Sequence, residues 1–243
     1  MLLYTLVKRP YVFCFLLVFL FLSIRRRGTL KTLIFLITGY LIAWISEWCS
    51  INYGFPYGTY HYVYENLQGE LLNHGVPVWD SLSYVFLCFA GLELVEFVRG
   101  PTGRNVGSIL QNTLLSALFV TLLDVVIDPI AHLGRYWFLG EIYFYPHPGI
   151  YFDVPFSNFA GWFLVAFLIN GICLFWDRGS QNPPSLGGVL LYFAILVFNT
   201  SIALFLKQWA LVLADLFWIG LLIFFLVLLS RNNKKRLKSS MIL

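Results

Sequence analysis

Residues 107–127 read GSILQNTLLSALFVTLLDVVI, and Asp128-Pro129 follow directly. One ionisable side chain, Asp124, interrupts an otherwise apolar and small-polar run. At about 1.5 Å per residue a helix of this length reaches roughly 31 Å, the thickness of a bilayer core. The stretch therefore reads as a membrane-spanning helix that carries a carboxylate near one end. Acids are expensive at that depth and mark functional positions by default.

The rest of the chain agrees with this reading. Of 243 residues, 59% are hydrophobic, 19% aromatic and only 12% charged, with a mean hydropathy of +0.78. Soluble domains carry roughly 25% charged residues. Further spans are expected at 30–48, 76–98, 156–176, 187–206 and 209–229. The shorter run 11–24 spans if Lys8 and Arg9 snorkel outward. The expected fold is thus an all-α polytopic helix bundle of about seven transmembrane helices, with six spans plus an interfacial helix as the alternative. We read one membrane domain over residues 1–243. The N-terminus resembles a signal peptide, but Arg25-Arg26-Arg27 follows the apolar run directly and no small-residue cleavage site is visible, so a retained span is expected.

The net charge of +4 gathers at 25–27 and in the tail 231–238, a pattern that suits anionic lipid rather than nucleic acid. Arg25–Lys31, Arg99 with Arg104, Arg178 and the tail fall on alternate connections. The positive-inside rule turns these toward the cytoplasm, together with the C-terminus of a multi-pass cell-membrane protein. The connections 49–75 and 128–155 then share the opposite face, while 99–104 and 180–185 read as plain turns. Cys14, Cys49, Cys88 and Cys173 are scattered without a CxxC pair, which favours neither a disulfide nor zinc.

Both long connections combine carboxylates with aromatics, Gly and Pro, a suitable setting for a developing carbocation in a greasy substrate. The first is Glu47-Trp-Cys-Ser-Ile-Asn-Tyr-Gly-Phe-Pro-Tyr-Gly-Thr-Tyr-His-Tyr62; the second, 124–162, ends in Asp153-Val-Pro-Phe-Ser-Asn-Phe-Ala-Gly-Trp162. An interfacial aromatic belt accounts for some of the rings, though not for the recurring acids. Asp124 and Asp128 are one helical turn apart on one face. Two carboxylates that close in a low-dielectric setting do not both ionise cheaply, so one is expected to hold a proton and serve as a general acid. The structural alternative is that Asp128 caps local backbone and Asp124 pairs with Arg135. Pro129 is expected to end the helix at Asp128. Glu47, read as closing its helix, is a second acid, a base orienting water or an edge side chain reaching solvent. Asp80 opens the third span, where a first-turn acid also suits the helix dipole. Glu96 is expected to pair with Arg99, three residues on, and Glu93 lies deeper and remote from the loops.

His61, His74, His132 and His147 share the same face without HxxH or HxxxH spacing, so no metal site is expected. Asn158 opens the fifth long helix or bonds a neighbouring carboxylate. There is no phosphate loop, GxGxxG, GxSxG or DDxxD-like diphosphate motif, so no nucleotide cofactor, serine hydrolase or prenyltransferase is supported.

With these residues laid out, the chain resembles the CruF-like carotenoid biosynthesis family, of the bisanhydrobacterioruberin or γ-carotene 1,2-hydratase type. The stretches that carry the resemblance are Gly54-Phe-Pro-Tyr-Gly-Thr-Tyr-His-Tyr62, Gly75-Val-Pro77, Asp124 through Asp128-Pro129, Tyr136-Trp137 and Val154-Pro-Phe-Ser-Asn-Phe-Ala-Gly-Trp162. They span roughly residues 35–175. The resemblance implies a cofactor-independent enzyme that adds water across the terminal 1,2 double bond of an acyclic carotenoid end. Protonation at C2 leaves a tertiary cation at C1, and a carboxylate-oriented water captures it. The residues then divide into Asp124 or Asp128 as acid, Glu47 as water-orienting base and Asp80 as a further catalytic carboxylate. Tyr57, Tyr60, Trp137 and Trp162 become cation walls, with Asn158 at the substrate. A lycopene-type cyclase begins with the same protonation, and a lipid-binding protein or transporter is the non-enzymatic alternative. The expected partners are the carotenoid, membrane lipid and other membrane enzymes of the same pathway.

Overall fold

A computed structural model describes residues 1–177 and 182–240, with side chains through Arg231. Arg178, the beginning of the 180–185 turn and the basic side chains of 232–238 lie outside the described residues. The helices are α1 (Leu2–Lys8), α2 (Pro10–Arg27), α3 (Thr29–Tyr53), α4 (Val78–Arg99), α5 (Val106–His132), α6 (Phe156–Trp176), α7 (Leu186–Phe205) and α8 (Trp209–Ser240). Four two-residue strands lie in the connections: β1 (His61–Tyr62), β2 (Leu72–Asn73), β3 (Val76–Pro77) and β4 (Tyr143–Phe144).

Among the described residues, α3 to α7 and the 209–231 part of α8 are six helices long and apolar enough to cross a membrane. The seventh span forms only if α1 and α2 count as one, and they meet at 94°. The chain is thus a multi-pass membrane protein with an all-helical bundle. The condition set for the 11–24 span, that Lys8 and Arg9 reach outward, is not met at Arg9. Arg9 is fully buried and forks onto Glu70, with Nε to Oε2 at 3.0 Å and Nη2 to Oε1 at 2.7 Å. Its Nη1 donates to the Leu139 carbonyl, and its guanidinium lies 4.6 Å from the Trp79 ring centroid. Lys8 also pairs with Glu70, at 3.0 Å. A buried ion pair thereby fastens the α1–α2 bend to the loop between α3 and α4.

The centre of the bundle is α4, whose side chains from Tyr84 to Glu96 are all buried. It fits because small residues let neighbouring backbones approach, the usual way membrane helices pack. At Gly91 a Cβ would stand 2.7 Å from Val120 Cγ2 and 3.1 Å from the Ser116 carbonyl oxygen of α5. Asn105 caps α5 by accepting from Ser108 N at 2.7 Å.

At one end of the bundle Arg26 and Arg27 bind Glu93 and Glu96. Arg26 Nη1 donates to Glu93 Oε1, Arg26 Nη2 to Glu96 Oε2 at 2.7 Å, and Arg27 Nη1 to Asp177 at 2.8 Å. Glu96 also accepts from the Thr102 backbone at 2.9 Å, while Arg99 donates to Gln111 and Asn112. The expected Glu96–Arg99 pairing thus gives way to arginines from a neighbouring helix, which reach Glu93 and Glu96 together. These acids staple α2 to α4, far from the opposite end where the long connections meet.

Candidate active site

Two helix ends differ from the sequence-based expectation, and both differences shape the site. Helix α3 runs past Glu47 to Tyr53 and stops at Gly54, which adopts a left-handed conformation at φ 73°. Glu47 therefore projects from within the helix, buried to 7% exposure, instead of closing it. Helix α5 continues through Pro129 to His132. A proline in the last turn forfeits a single internal hydrogen bond, and Leu133 N still bonds the Pro129 carbonyl. Asp128 stays in register with Asp124 one turn below, with its carboxylate turned inward to side-chain donors.

The connection after α3 and the one after α5 are joined by an antiparallel ladder, with His61 opposite Phe144 and Tyr62 opposite Tyr143. Side chains alternate across so short a ladder. His61 and Phe144 pack together outside at 5.6 Å, and Tyr62 and Tyr143 turn inward. Tyr60 and Tyr145, two residues along on each strand direction, point inward as well and are buried.

These tyrosines hold the acids. The Tyr60 hydroxyl donates to Glu47 Oε2, and that of Tyr62 donates to Asp80 Oδ2 at 2.7 Å. Asp128 receives three donors: Tyr143 on Oδ1, Tyr145 on Oδ2 at 2.8 Å, and Asn158 Nδ2 on Oδ2 at 3.0 Å. The same Asn158 amide bridges to Asp124 Oδ2 at 2.8 Å. Burial, followed by the charges of Glu47 and Asp80, pushes the Tyr60 phenol well above its ordinary range. Burial and Asp128 do the same for Tyr143 and, with Tyr143 itself, for Tyr145. The phenols thus keep their protons and remain donors.

The acids and rings enclose a cavity of about 130 Å³. Its wall includes every residue expected at the site: Glu47, Asp80, Asp124 and Asp128, then Tyr57, Tyr60, Trp137, Asn158 and Trp162. No Lys, Arg or His is among the described residues lining it. Arg135, the alternative partner for Asp124, is exposed and lies over its neighbour Tyr136 at 4.8 Å. Among the described residues, no three His, Cys, Asp or Glu side chains converge to hold a metal ion.

Aromatic rings make up much of the remaining wall, between aliphatic residues such as Leu87 and Ile127. Trp162 stacks on Tyr84 with centroids 3.9 Å apart and planes 15° from parallel. Tyr57 stands 6.1 Å from Tyr84 and 6.4 Å from Trp162, its hydroxyl on Ser46 at 2.8 Å. Gly161 permits this approach: a Cβ there would lie 2.6 Å from Tyr57 Cδ1 and 2.8 Å from the Pro56 carbonyl. Trp137 anchors its indole N–H on the Ile130 carbonyl at 3.0 Å.

Sequence reasoning missed Tyr62, Tyr84, Tyr143 and Tyr145. A signal was available for three of them, because Tyr60-His-Tyr62 and Tyr143-Phe-Tyr145 share a two-residue alternation. That is the spacing by which a strand sets two side chains on one face.

Known proteins place the chain as follows. The model of one family, described as "Carotenoid biosynthesis protein", matches residues 8–227, well beyond the 35–175 region that carries the sequence resemblance. No curated protein matches the chain, and no solved structure does.

Proposed function

The chain belongs to the carotenoid biosynthesis protein family, and from that premise we propose that it hydrates the terminal 1,2 double bond of an acyclic carotenoid end group. The observation that carries this reading is the convergence of four carboxylates on one aromatic cavity whose described lining holds no basic side chain. Full ionisation would set four negative charges around a low-dielectric space, so the cluster shares protons. Such a cluster can protonate an alkene, and the surrounding rings can face the cation that results.

Hydrogen bonding divides the work. Three donors converge on Asp128, an arrangement that suits a carboxylate. Asp124 receives only the Asn158 amide among the described side-chain donors, and Asn158 fixes its orientation. Asp124 is therefore the acid: its proton goes to C2, a C–H bond forms, and the π electrons leave C1 cationic. Tyr57, Trp137 and Trp162 offer ring faces, each worth about 1–2 kcal/mol to a cation where water is excluded. Glu47, positioned by Tyr60, orients a water whose oxygen bonds C1 and whose proton Glu47 accepts. The proton then returns to Asp124 through the shared cluster, so the cycle consumes only water and needs no redox cofactor. The phenol-rich side of the cavity, with Tyr60, Tyr143 and Tyr145, favours water capture over the proton loss that a cyclase requires.

By the positive-inside rule we place this cavity on the non-cytoplasmic side and the C-terminus in the cytoplasm of the cell membrane. The test is to express the chain in a bacterial host that makes lycopene or γ-carotene and to analyse the pigments by mass spectrometry. Pigments heavier by one water are expected. An isomeric product of unchanged mass would make it a cyclase, and unaltered pigments would leave a binding or transport role.

A further inference from the structure

A cavity of about 130 Å³ is of the size that holds a single small ring, since an engineered cavity of about 150 Å³ accepts benzene. It accommodates an end group, and the rest of a long polyene must lie elsewhere. Resting on the hydratase reading above, we propose that the polyene enters sideways through the seam between α2 and α7, so that one end group is seated while the remaining chain runs outward along a file of aromatic rings.

The seam is distinct from the other walls. Ladder-bound tyrosines close one side, and the Tyr84–Trp162 stack closes another. Trp79 and Leu139 close a third, locked in place by the Arg9–Glu70 fork, since Trp79 donates to Glu70 at 2.7 Å and Leu139 accepts from Arg9. Toward α2 and α7 the lining is Tyr11, Phe15, Ile195 and Phe198 with the amide of Asn199, which donates to the Ile195 carbonyl at 2.9 Å, and holds no charged group. The rings there are continuous. Buried Phe86 lies 5.8 Å from Phe15, Phe15 is 5.9 Å from Phe198, and Phe198 stacks on Tyr11 at 5.5 Å. Tyr11 in turn touches Phe138 at 5.6 Å, and Phe138 is 57% exposed. Tyr11, Phe15 and Phe198 are each half-buried. An apolar path thus leads from the bundle surface to the carboxylates, and a conjugated chain can lie against it. A second apolar groove of about 660 Å³, walled by α5 and α8 with Phe225, is larger, but no carboxylate is among its described lining residues.

The test uses the full chain in membranes of a lycopene-producing host, with p-benzoylphenylalanine at Phe198 and, in a separate variant, at Tyr11. The same photoprobe at Phe225 is the control. After illumination and denaturing purification, the protein band is read for visible polyene absorption and for a mass gain of one lycopene. Adducts at 198 and 11, in excess over 225, are expected. Phospholipid-only adducts at the seam, no adduct, or a stronger polyene adduct at 225 would overturn the seam. The pigments of cells carrying the unsubstituted protein separate the two claims. Hydration without a seam adduct removes the seam alone, whereas a seam adduct without hydration retains the polyene seat and removes the hydratase.

Discussion

Replacing Asp124 with asparagine separates chemistry from architecture, because the structure assigns this side chain one amide partner. Asn158 Nδ2 lies 2.8 Å from Asp124 Oδ2, and the carbonyl oxygen of the introduced amide would accept the same bond. The fold should therefore lose less than about 1 kcal/mol, the net worth of a typical hydrogen bond. The acidic proton is lost altogether. Positioned general acids contribute roughly 10²–10⁴ in rate, or about 3–5 kcal/mol of barrier at 1.36 kcal/mol per tenfold. Asp128→Asn should behave differently, since Tyr143, Tyr145 and Asn158 all donate to it and an amide offers one acceptor oxygen. Opposed donors there should lower stability by about 1–3 kcal/mol, moderated by rotation of the phenol hydroxyls. The assay is turnover of lycopene in proteoliposomes, normalised to folded protein, alongside tryptophan-fluorescence melting in detergent. An Asp124→Asn protein that retains turnover within about tenfold, about 1.4 kcal/mol, would refute Asp124 as the acid.

Glu70→Gln should lower stability by about 3–5 kcal/mol, because Arg9 would remain buried without its counter-charge. Burial alone would raise Glu70, but its bonds to Arg9 and Lys8 outweigh that and hold it below the ordinary value of 4.5. Its contribution is therefore present above pH 4.5 and lost as pH falls through the depressed value, so the wild-type melting temperature should drop in acid with a component that Glu70→Gln lacks. Gly161→Ala should displace Tyr57 and Pro56, at a cost of about 1–3 kcal/mol for overpacking, read as a lower melting temperature together with slower turnover. Trp162→Leu should slow turnover by about tenfold with unchanged regiochemistry, the loss of one cation-facing ring; an undiminished rate would remove Trp162 from that role.

The spans were legible because bilayer thickness imposes a length on any apolar run, and a stretch such as 107–127 has little alternative. The site was legible in part for the same reason: Glu47, Asp80, Asp124 and Asp128 are conspicuous only because their surroundings are so apolar. The tyrosines that bind them were not. In a chain with 14 tyrosines and 24 phenylalanines, a phenol holding a carboxylate looks like one anchoring a membrane edge, and two-residue strands are too short for their alternation to stand out. Pro129 misled because it usually ends a helix, whereas here it sits in the last turn where the missing bond matters least. Glu96 misled because the arginine three residues away competes with Arg26 and Arg27 from α2, which reach Glu93 as well. Pairings between helices are invisible to a spacing rule that operates along one helix.

The ladder between β1 and β4 joins loops that are separated in the chain by two membrane helices, α4 and α5. During synthesis Glu47, Tyr60 and Asp80 must enter the bilayer and its edge before residues 143–145 have been made. The acid cluster is therefore completed late in assembly, by a contact that requires α5 to be seated beforehand. A one-residue slip of β1 would bring His61 to the inner face in place of Tyr62 and take the phenol from Asp80, whereas a slip of β4 would bring in Phe144 in place of Tyr143 and take a phenol from Asp128. Correct insertion of the first five helices and the chemical competence of the site are thus verified by the same two residue pairs, so a misassembled bundle would be inactive before it was unfolded.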